Sequence, residues 1–330
     1  MTLSDSKEQH WAAATLDRGS ADRPDFVVQI LRSGVLARQF CQGVAFANVE
    51  AVFERCIYLR SGDAFVCIGG PDIGNGPITL IGSLGVLPAL KTAAGQVAVI
   101  RGECITIGNS VRFALDHSKL WCPSGWPTCP PPDRLLDIGA VLRLRIATGA
   151  PQEGLARCVI SGSETSGCLP PLMRVARPRI ARFERWMSSL LDARHAPVTE
   201  SREAVEGLIG LGPGLTPSGD DFLVGALAVL DAVGEHEARE AMARAILEAL
   251  PGLTTPLSAC FLRAAAAGHV GENLHQVVSL LIAGKVDAAI AVAEEIGHSS
   301  GWDMVAGILT TLGIAATRRR APAAQAFASS

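Results

Sequence analysis

Long hydrophobic runs are missing from this chain of 330 residues. No stretch reaches the ~18 apolar residues that a membrane-spanning helix needs. The longest candidates, "FLVGALAVL" (222–230) and "VVSLLIAG" (277–284), have the size of core segments. A mean hydropathy of +0.30 owes much to alanine and does not imply a membrane. Excess charge of one sign is missing too: 29 basic against 32 acidic residues leave a net charge of −3, which gives no field for nucleic acid. The nine cysteines form no C-x-x-C pair, so structural zinc is not expected. Their odd number favours reduced thiols over a disulfide framework. The opening "MTLSDSKEQHW" lacks a basic n-region and is not read as a signal peptide, so a cytoplasmic protein is expected. "GLGPGLT" (210–216) lacks the Gly-Lys-Ser/Thr of a Walker loop, and no strand precedes it as a dinucleotide fingerprint requires.

What is present divides the chain into unlike halves. Residues 1–24 read as a polar arm. From 25 to 150 the chain is β-rich: "AFVCIG", "PITLIG", "QVAVIRG", "CITIG" and "VRFAL" are short, rich in Val, Ile and Phe, and bounded by turn residues. A barrel or sandwich is expected, with "GECIT" as a hairpin turn. "WCPSGWPTCPPPD" (121–133) continues neither helix nor strand, since its prolines lack donors, and reads as a loop or covering strap. "RLLDIGAVLRLRI" (134–146) is ambiguous. A segment at 151–199 connects the halves and carries one helix, whose apolar face is Phe183, Trp186, Met187, Leu190 and Leu191. From 200 to 316 about seven helices follow. The "RRR" at 318–320 falls in an Ala/Ser/Pro-rich tail (317–330) that reads as disordered. The fold class is α+β by segregation.

One internal echo stands out. "PSGDDFLVGAL" (217–227) and "SSGWDMVAGIL" (299–309) align without gaps, matching Ser218 with Ser300, Gly219 with Gly301, Asp221 with Asp303, Gly225 with Gly307 and Leu227 with Leu309. Two related helices with the same polar start are expected. Capping accounts for part of this: Thr216 with Pro217 at the first helical position, and Ser300 with Asp303 as a short capping box. It leaves more unexplained. "FLVGALAVL" is apolar on every face, so its helix is buried, and two adjacent carboxylates at a buried start need partners or a metal. Gly225 and Gly307 each cost roughly 1 kcal/mol against alanine inside a helix, which points to close approach of one helix to the other. The backbone of "GLGPGLT", with Gly212 and Gly214, could form an anion nest. The aspartates oppose a bare anion unless they hold Mg²⁺, an arginine joins them, or they turn away to cap backbone groups. Arg263, the single charge between Leu253 and Gly268, is the candidate arginine; simple exposure on a helix face is the alternative. Ser258 shares its helix, which Thr254 or Thr255 opens. "GHSSG" (297–301) matches a G-x-S-x-G elbow at Ser299, but a helical segment precedes it where the elbow needs a strand. His298 is a proton carrier, an anion ligand or a loop anchor.

Taken together, "GLGPGLTPSGDDFLVG", "TTPLSACFLRAAAAGHVGENLH" and "IGHSSGWDMVAGIL" resemble the AllH family, linked to a subunit of oxamate carbamoyltransferase in anaerobic allantoin breakdown, a branch of purine catabolism. The likeness covers roughly 200–310, with a weaker echo at "GNGPITL" (74–80), which brings in Asn75. The resemblance implies carbamoyl transfer from carbamoyl phosphate to oxamate, giving oxalurate and phosphate, within a complex whose other subunits are partners. It implies a small anionic substrate held by Asn75, Gly212, Gly214, Thr216, Ser218, Thr255, Ser258, Arg263, Ser299, Ser300, Gly301 and Asp303, with proton transfer by Asp220, Asp221 or His298. Mg²⁺ at Asp220 and Asp221 is the one cofactor considered, and would suit a phosphoryl-transfer enzyme instead. A non-catalytic scaffold or ligand-binding subunit is the other alternative. The chain lacks the Ser-x-Arg-Thr phosphate loop of aspartate and ornithine carbamoyltransferases, so it does not share their fold.

Overall fold

The computed structural model describes residues 26–83, 92–109, 111–160, 170–192 and 198–320. The expected arm at 1–24 lies outside them, as does everything beyond Arg320. The strands are β1 (Phe26–Ser33), β2 (Phe46–Val52), β3 (Cys56–Ser61), β4 (Ala64–Gly69), β5 (Thr79–Gly82), β6 (Val97–Arg101), β7 (Cys104–Ile107), β8 (Val111–Ala114) and β9 (Lys119–Leu120). Eight of them close in the order β1-β5-β4-β3-β2-β6-β7-β8, with β8 returning to β1. Neighbours are antiparallel except β4–β5 and β8–β1. Short β9 continues beyond β8 along the second half of β1. The expected barrel or sandwich is therefore a barrel, and closure leaves no long open edge. Strand alternation fills its interior: Ile105 and Ile107 point in while Thr106 does not. A helix, α1 (Val35–Gly43), adds Ala37, Phe40 and Cys41 to the same core. "GECIT" forms the β6–β7 hairpin, where Gly102 takes a φ of 55°.

The strands end at Leu120, and the proline-rich stretch that follows is an irregular strap. Trp126 pins it: its indole N–H donates to Asp231 at 2.7 Å and its ring stacks on His275 at 4.2 Å. The ambiguous 134–146 belongs to α2 (Pro132–Gly149), which buries Leu135, Ile138, Leu142 and Ile146 at helical spacing. The remaining helices are α3 (Ala156–Ile160), α4 (Pro171–Leu191), α5 (Val198–Glu206), α6 (Ser218–Ala232), α7 (His236–Ala249), α8 (Pro256–Ala266), α9 (Glu272–Ile282), α10 (Val286–Glu294) and α11 (Ser300–Arg320). Helix α4 turns Phe183, Trp186, Met187 and Leu191 inward, as its spacing predicts. Arg318, Arg319 and Arg320 correct the expectation of a disordered tail from 317. They form the last turn of α11, where cations suit the helix dipole, and Arg319 pairs with Glu235 at 2.8 Å. No helix among the described residues is long and apolar enough to cross a membrane.

Helix α6 is buried along its length, Asp231 excepted, and it crosses α11 at the two echoing glycines. A methyl group on Gly225 would collide with the Met304 carbonyl, and one on Gly307 with the Phe222 carbonyl. Phe222 and Met304 hold equivalent positions in the two stretches, so the crossing has a local twofold symmetry. The helix entries repeat it. Gly219 sits on the Leu208 carbonyl and donates its N–H to Leu211 O; Gly301 sits on the Ala293 carbonyl and donates to Ile296 O. Glycine is demanded here by backbone-to-backbone approach, which repays its entropic cost through packing.

Candidate functional site

The twofold crossing brings both polar helix starts together. The Asp221 carboxyl accepts from the hydroxyls of Ser300 and Thr216, and the Asp303 carboxyl from those of Ser218 and Ser299. Each aspartate is thus bonded by the first serine of the opposite helix. Thr216 and Ser300 also meet, their hydroxyl oxygens 3.2 Å apart. Asp303 further accepts the Leu155 N–H at 2.5 Å, beside Gly154, whose φ of 82° and lack of a side chain admit the carboxyl. Both carboxyls are buried, and each keeps one oxygen, Oδ2, without a hydrogen-bond partner. Burial holds Asp221 well above the usual carboxylate range, and the nearby charges of Asp303 and Asp220 add to it. Burial likewise raises Asp303 to about 6, against the lowering effect of its three donors, Leu155, Ser218 and Ser299.

Asp220 does different work. A helix turns by 100° per residue, so adjacent aspartates face different ways. Asp220 accepts from the Gly210 N–H at 2.8 Å, the Ser258 hydroxyl at 2.6 Å and the Thr254 hydroxyl. It staples the glycine loop to the start of α8. Thr255 caps that helix, accepting the Ser258 N–H at 3.1 Å, with Pro256 at the first position. Burial raises Asp220 in spite of its three donors.

Asp221, Thr216 and Ser300 open onto a cleft of about 380 Å³ between barrel and helices. The barrel contributes Cys56, Tyr58 and Cys67 and the loop from Ile73 to Thr79; the helical half adds Val224, Phe261, Met304 and the stretch from His269 to Leu274. Asn75 clasps the two halves. Its backbone and side-chain N–H groups donate to Glu272 Oε2 at 3.0 and 2.6 Å, and its carbonyl accepts the Glu272 N–H. That clasp fixes the amide orientation and leaves Asn75 Oδ1 buried and unpartnered. In the cleft wall Cys67 hydrogen-bonds Cys56, which lowers the Cys56 thiol, while burial raises Tyr58. A larger hollow of about 580 Å³ between α2, α4 and α11 touches none of the expected site residues.

Several expectations are corrected. Arg263 does not answer the aspartates. It is partly exposed and faces Asp63 of the β3–β4 turn at 3.4 Å, so the alternative of surface exposure holds. Among the described residues lining the cleft there is no Lys or Arg. His298 is 86% exposed, 3.4 Å from Glu153, and does not line the cleft. The start of α6 itself offers no free N–H at Gly219, which donates to Leu211 O, nor at Asp220 and Asp221, which donate to Pro217 O. Gly212 and Gly214 adopt φ of 114° and 99°, the left-handed side of backbone space that the turn of the loop requires. Pro217, not Thr216, occupies the cap position of α6, and the Thr216 hydroxyl is spent on Asp221 and Ser300. Asp220 and Asp221 do not converge as a chelating pair, and among the described residues no three His, Cys, Asp or Glu side chains gather as a metal group. Gly301 and Ser258 serve helix packing and the Asp220 staple.

Sequence reading did not single out Glu272, although "GHVGEN" places an acid at the first turn of a helix after glycine. Nor did it find Leu155 or the wall of Cys56, Tyr58 and Cys67, which only tertiary folding brings near. Residues 208–312, about a third of the chain, match the family model described as oxamate carbamoyltransferase subunit AllH. The AllH resemblance read from the three motifs therefore holds over that segment, which supports a carbamoyltransferase-associated subunit. No solved structure matches the chain.

Proposed function

We propose that this chain is a subunit of a multi-subunit carbamoyltransferase acting on carbamoyl phosphate and oxamate, in the nitrogen catabolism of allantoin and other purine products. The observation that carries the reading is Asp221 at the wall of the interdomain cleft, buried, hydroxyl-bonded and strongly proton-seeking. The oxamate amide nitrogen is a weak nucleophile and gives up a proton as it attacks. A carboxylate whose proton affinity is raised by burial is a stronger base than an exposed one, and a positioned base contributes about 10²–10⁴-fold. The N–C bond forms, the C–O bond to phosphate breaks, phosphate leaves with the electron pair, and the nitrogen's proton passes to Asp221. The unpartnered oxygens of Asn75 and Asp221 favour a ligand that presents N–H donors, as a primary amide does. With no lysine or arginine in the described cleft lining, the cations that neutralise phosphate come from another subunit.

The experiment mixes the purified chain with its partner subunits and follows phosphate release with and without oxamate. Oxamate-dependent release is expected, reduced at least 100-fold by Asp221→Ala in an intact complex. Full activity with this chain omitted, or unchanged turnover in the variant, removes the reading.

A further inference from the structure

The clasp of Asn75 on Glu272 fixes more than the approach of barrel to helices. A side chain at Gly74 would come within 3.5 Å of Asn273 Oδ1, so the loop lies close against the start of α9. Three bonds then join Asn75 to Glu272. The Asn75 carbonyl accepts the Glu272 N–H at 2.9 Å, and the Asn75 backbone N–H donates to Glu272 Oε2 at 3.0 Å. The third bond runs between the two side chains, at 2.6 Å to the same Oε2.

A carboxylate only accepts hydrogen bonds, so the Asn75 atom that meets it is the amide nitrogen. A flipped amide would set two acceptor oxygens against each other at 2.6 Å. The clasp therefore turns Nδ2 to Glu272 and leaves Oδ1 on its own. Asn75 is 7% exposed and lines the cleft, and its Oδ1 has no hydrogen-bond partner. The cleft thus holds one buried acceptor whose orientation is fixed. A ligand N–H satisfies it. A ligand carboxylate leaves it unmet, beside the acid of Glu272 and with no Lys or Arg among the described lining residues to compensate.

We propose that Glu272 is a positioning residue that sets the ligand specificity of the cleft. By locking the Asn75 amide it selects a primary amide over a carboxylate. The choice of oxamate as the amide rests on the carbamoyl-transfer reading; oxalate is its isostere with a carboxylate in place of the amide. Glu272 acts through Asn75, so its effect is read in the ratio of the two affinities and not in either alone.

Calorimetric titration of the assembled complex with oxamate and with oxalate, carbamoyl phosphate absent, tests the selection. The wild type should prefer oxamate by about tenfold or more. Glu272→Gln keeps a carbonyl that accepts both Asn75 donors, and should keep the preference. Glu272→Ala removes the acceptor, frees the amide to turn its nitrogen to the ligand, and should abolish the preference. Both variants remove the same charge, so the contrast between them reports orientation. Isotope-edited NMR of the full chain follows the lock itself: the Asn75 side-chain amide protons should exchange slowly in the wild type and Glu272→Gln, and fast in Glu272→Ala. Equal binding of the two ligands by the wild type, or a failure of oxamate to bind, overturns the proposal. So does a preference that survives in Glu272→Ala, the mark of a merely structural role, or one lost equally in both variants. A complex that releases no phosphate yet keeps the amide preference removes the carbamoyl-transfer reading and leaves the selection standing.

Discussion

Adjacent aspartates at 220 and 221 should respond unequally to substitution. Asp220→Ala strips the acceptor from Gly210 N–H, Thr254 and Ser258 and leaves three buried donors unmet. A loss of about 3 kcal/mol is expected, measured as a lower urea midpoint at unchanged slope. Asp221→Ala removes a buried carboxyl with an unpaired oxygen, so stability should stay level or rise by about 1 kcal/mol. The same asymmetry governs pH. Asp303 is raised from 3.8 to about 6, so the native state holds a proton that the unfolded chain has released. Stability conferred by that proton is full below pH ~4 and falls as pH rises towards 6, by on the order of 3 kcal/mol. Urea unfolding at stepped pH should show this decline, and Asp303→Asn should flatten it. A stretch with two acids beside an apolar run announced a polar helix start. It did not announce which acid is a staple and which faces the cleft, because 100° of helix rotation has meaning only once neighbours are in place.

Among the elements, α6 and α11 depend on glycine at one place and tolerate it at another. Gly225→Ala or Gly307→Ala drives a methyl into an opposing carbonyl, and the helices must separate. A cost of about 3 kcal/mol or more is expected. Gly313→Ala, on the same α11 with open space around it, should stabilise by roughly 0.5–1 kcal/mol through helix propensity and a less flexible unfolded chain. Thermal melts of the three variants test the contrast. This crossing was legible: the ungapped echo and mid-helix glycines on an apolar helix require close approach. Other elements were not. The "LRLRI" end of α2 alternates like a strand, and only the surrounding helices favour its 3.6-residue period. Barrel closure rests on the parallel pairings of β4 with β5 and β8 with β1, which leave no local signature. Arg263 showed the limit of lone-charge reasoning. Its partner Asp63 is 200 residues away in a barrel turn, and the arginine reaches it from an exposed edge.

In the whole molecule, the barrel and the helices meet through contacts of different kinds. One is the clasp of Asn75 on Glu272, another an apolar cluster of Phe65, Ile78 and Leu257, and a third the exposed pair of Arg263 with Asp63. Glu272→Ala breaks the clasp and leaves Asn75 with unmet donors. About 2 kcal/mol of loss is expected, together with faster amide exchange across residues 74–78 while the barrel strands keep their protection. Unchanged exchange in that loop would show that the clasp is not needed to order it. The motif "GNGPITL" hinted that the barrel reaches the helical site, but its partner glutamate lies 197 positions on and could not be paired with it by eye.

The strap that leaves the barrel ends its crossing with Trp126 face-on to His275. Burial keeps that imidazole in its neutral form by lowering its proton affinity. Trp126 is therefore a natural optical reporter. Its emission is set by contact with a ring on the helical half, and changes when the strap lifts. Docking of a partner subunit near the strap can then be followed by fluorescence on the unlabelled protein, with Trp126→Phe as the blank.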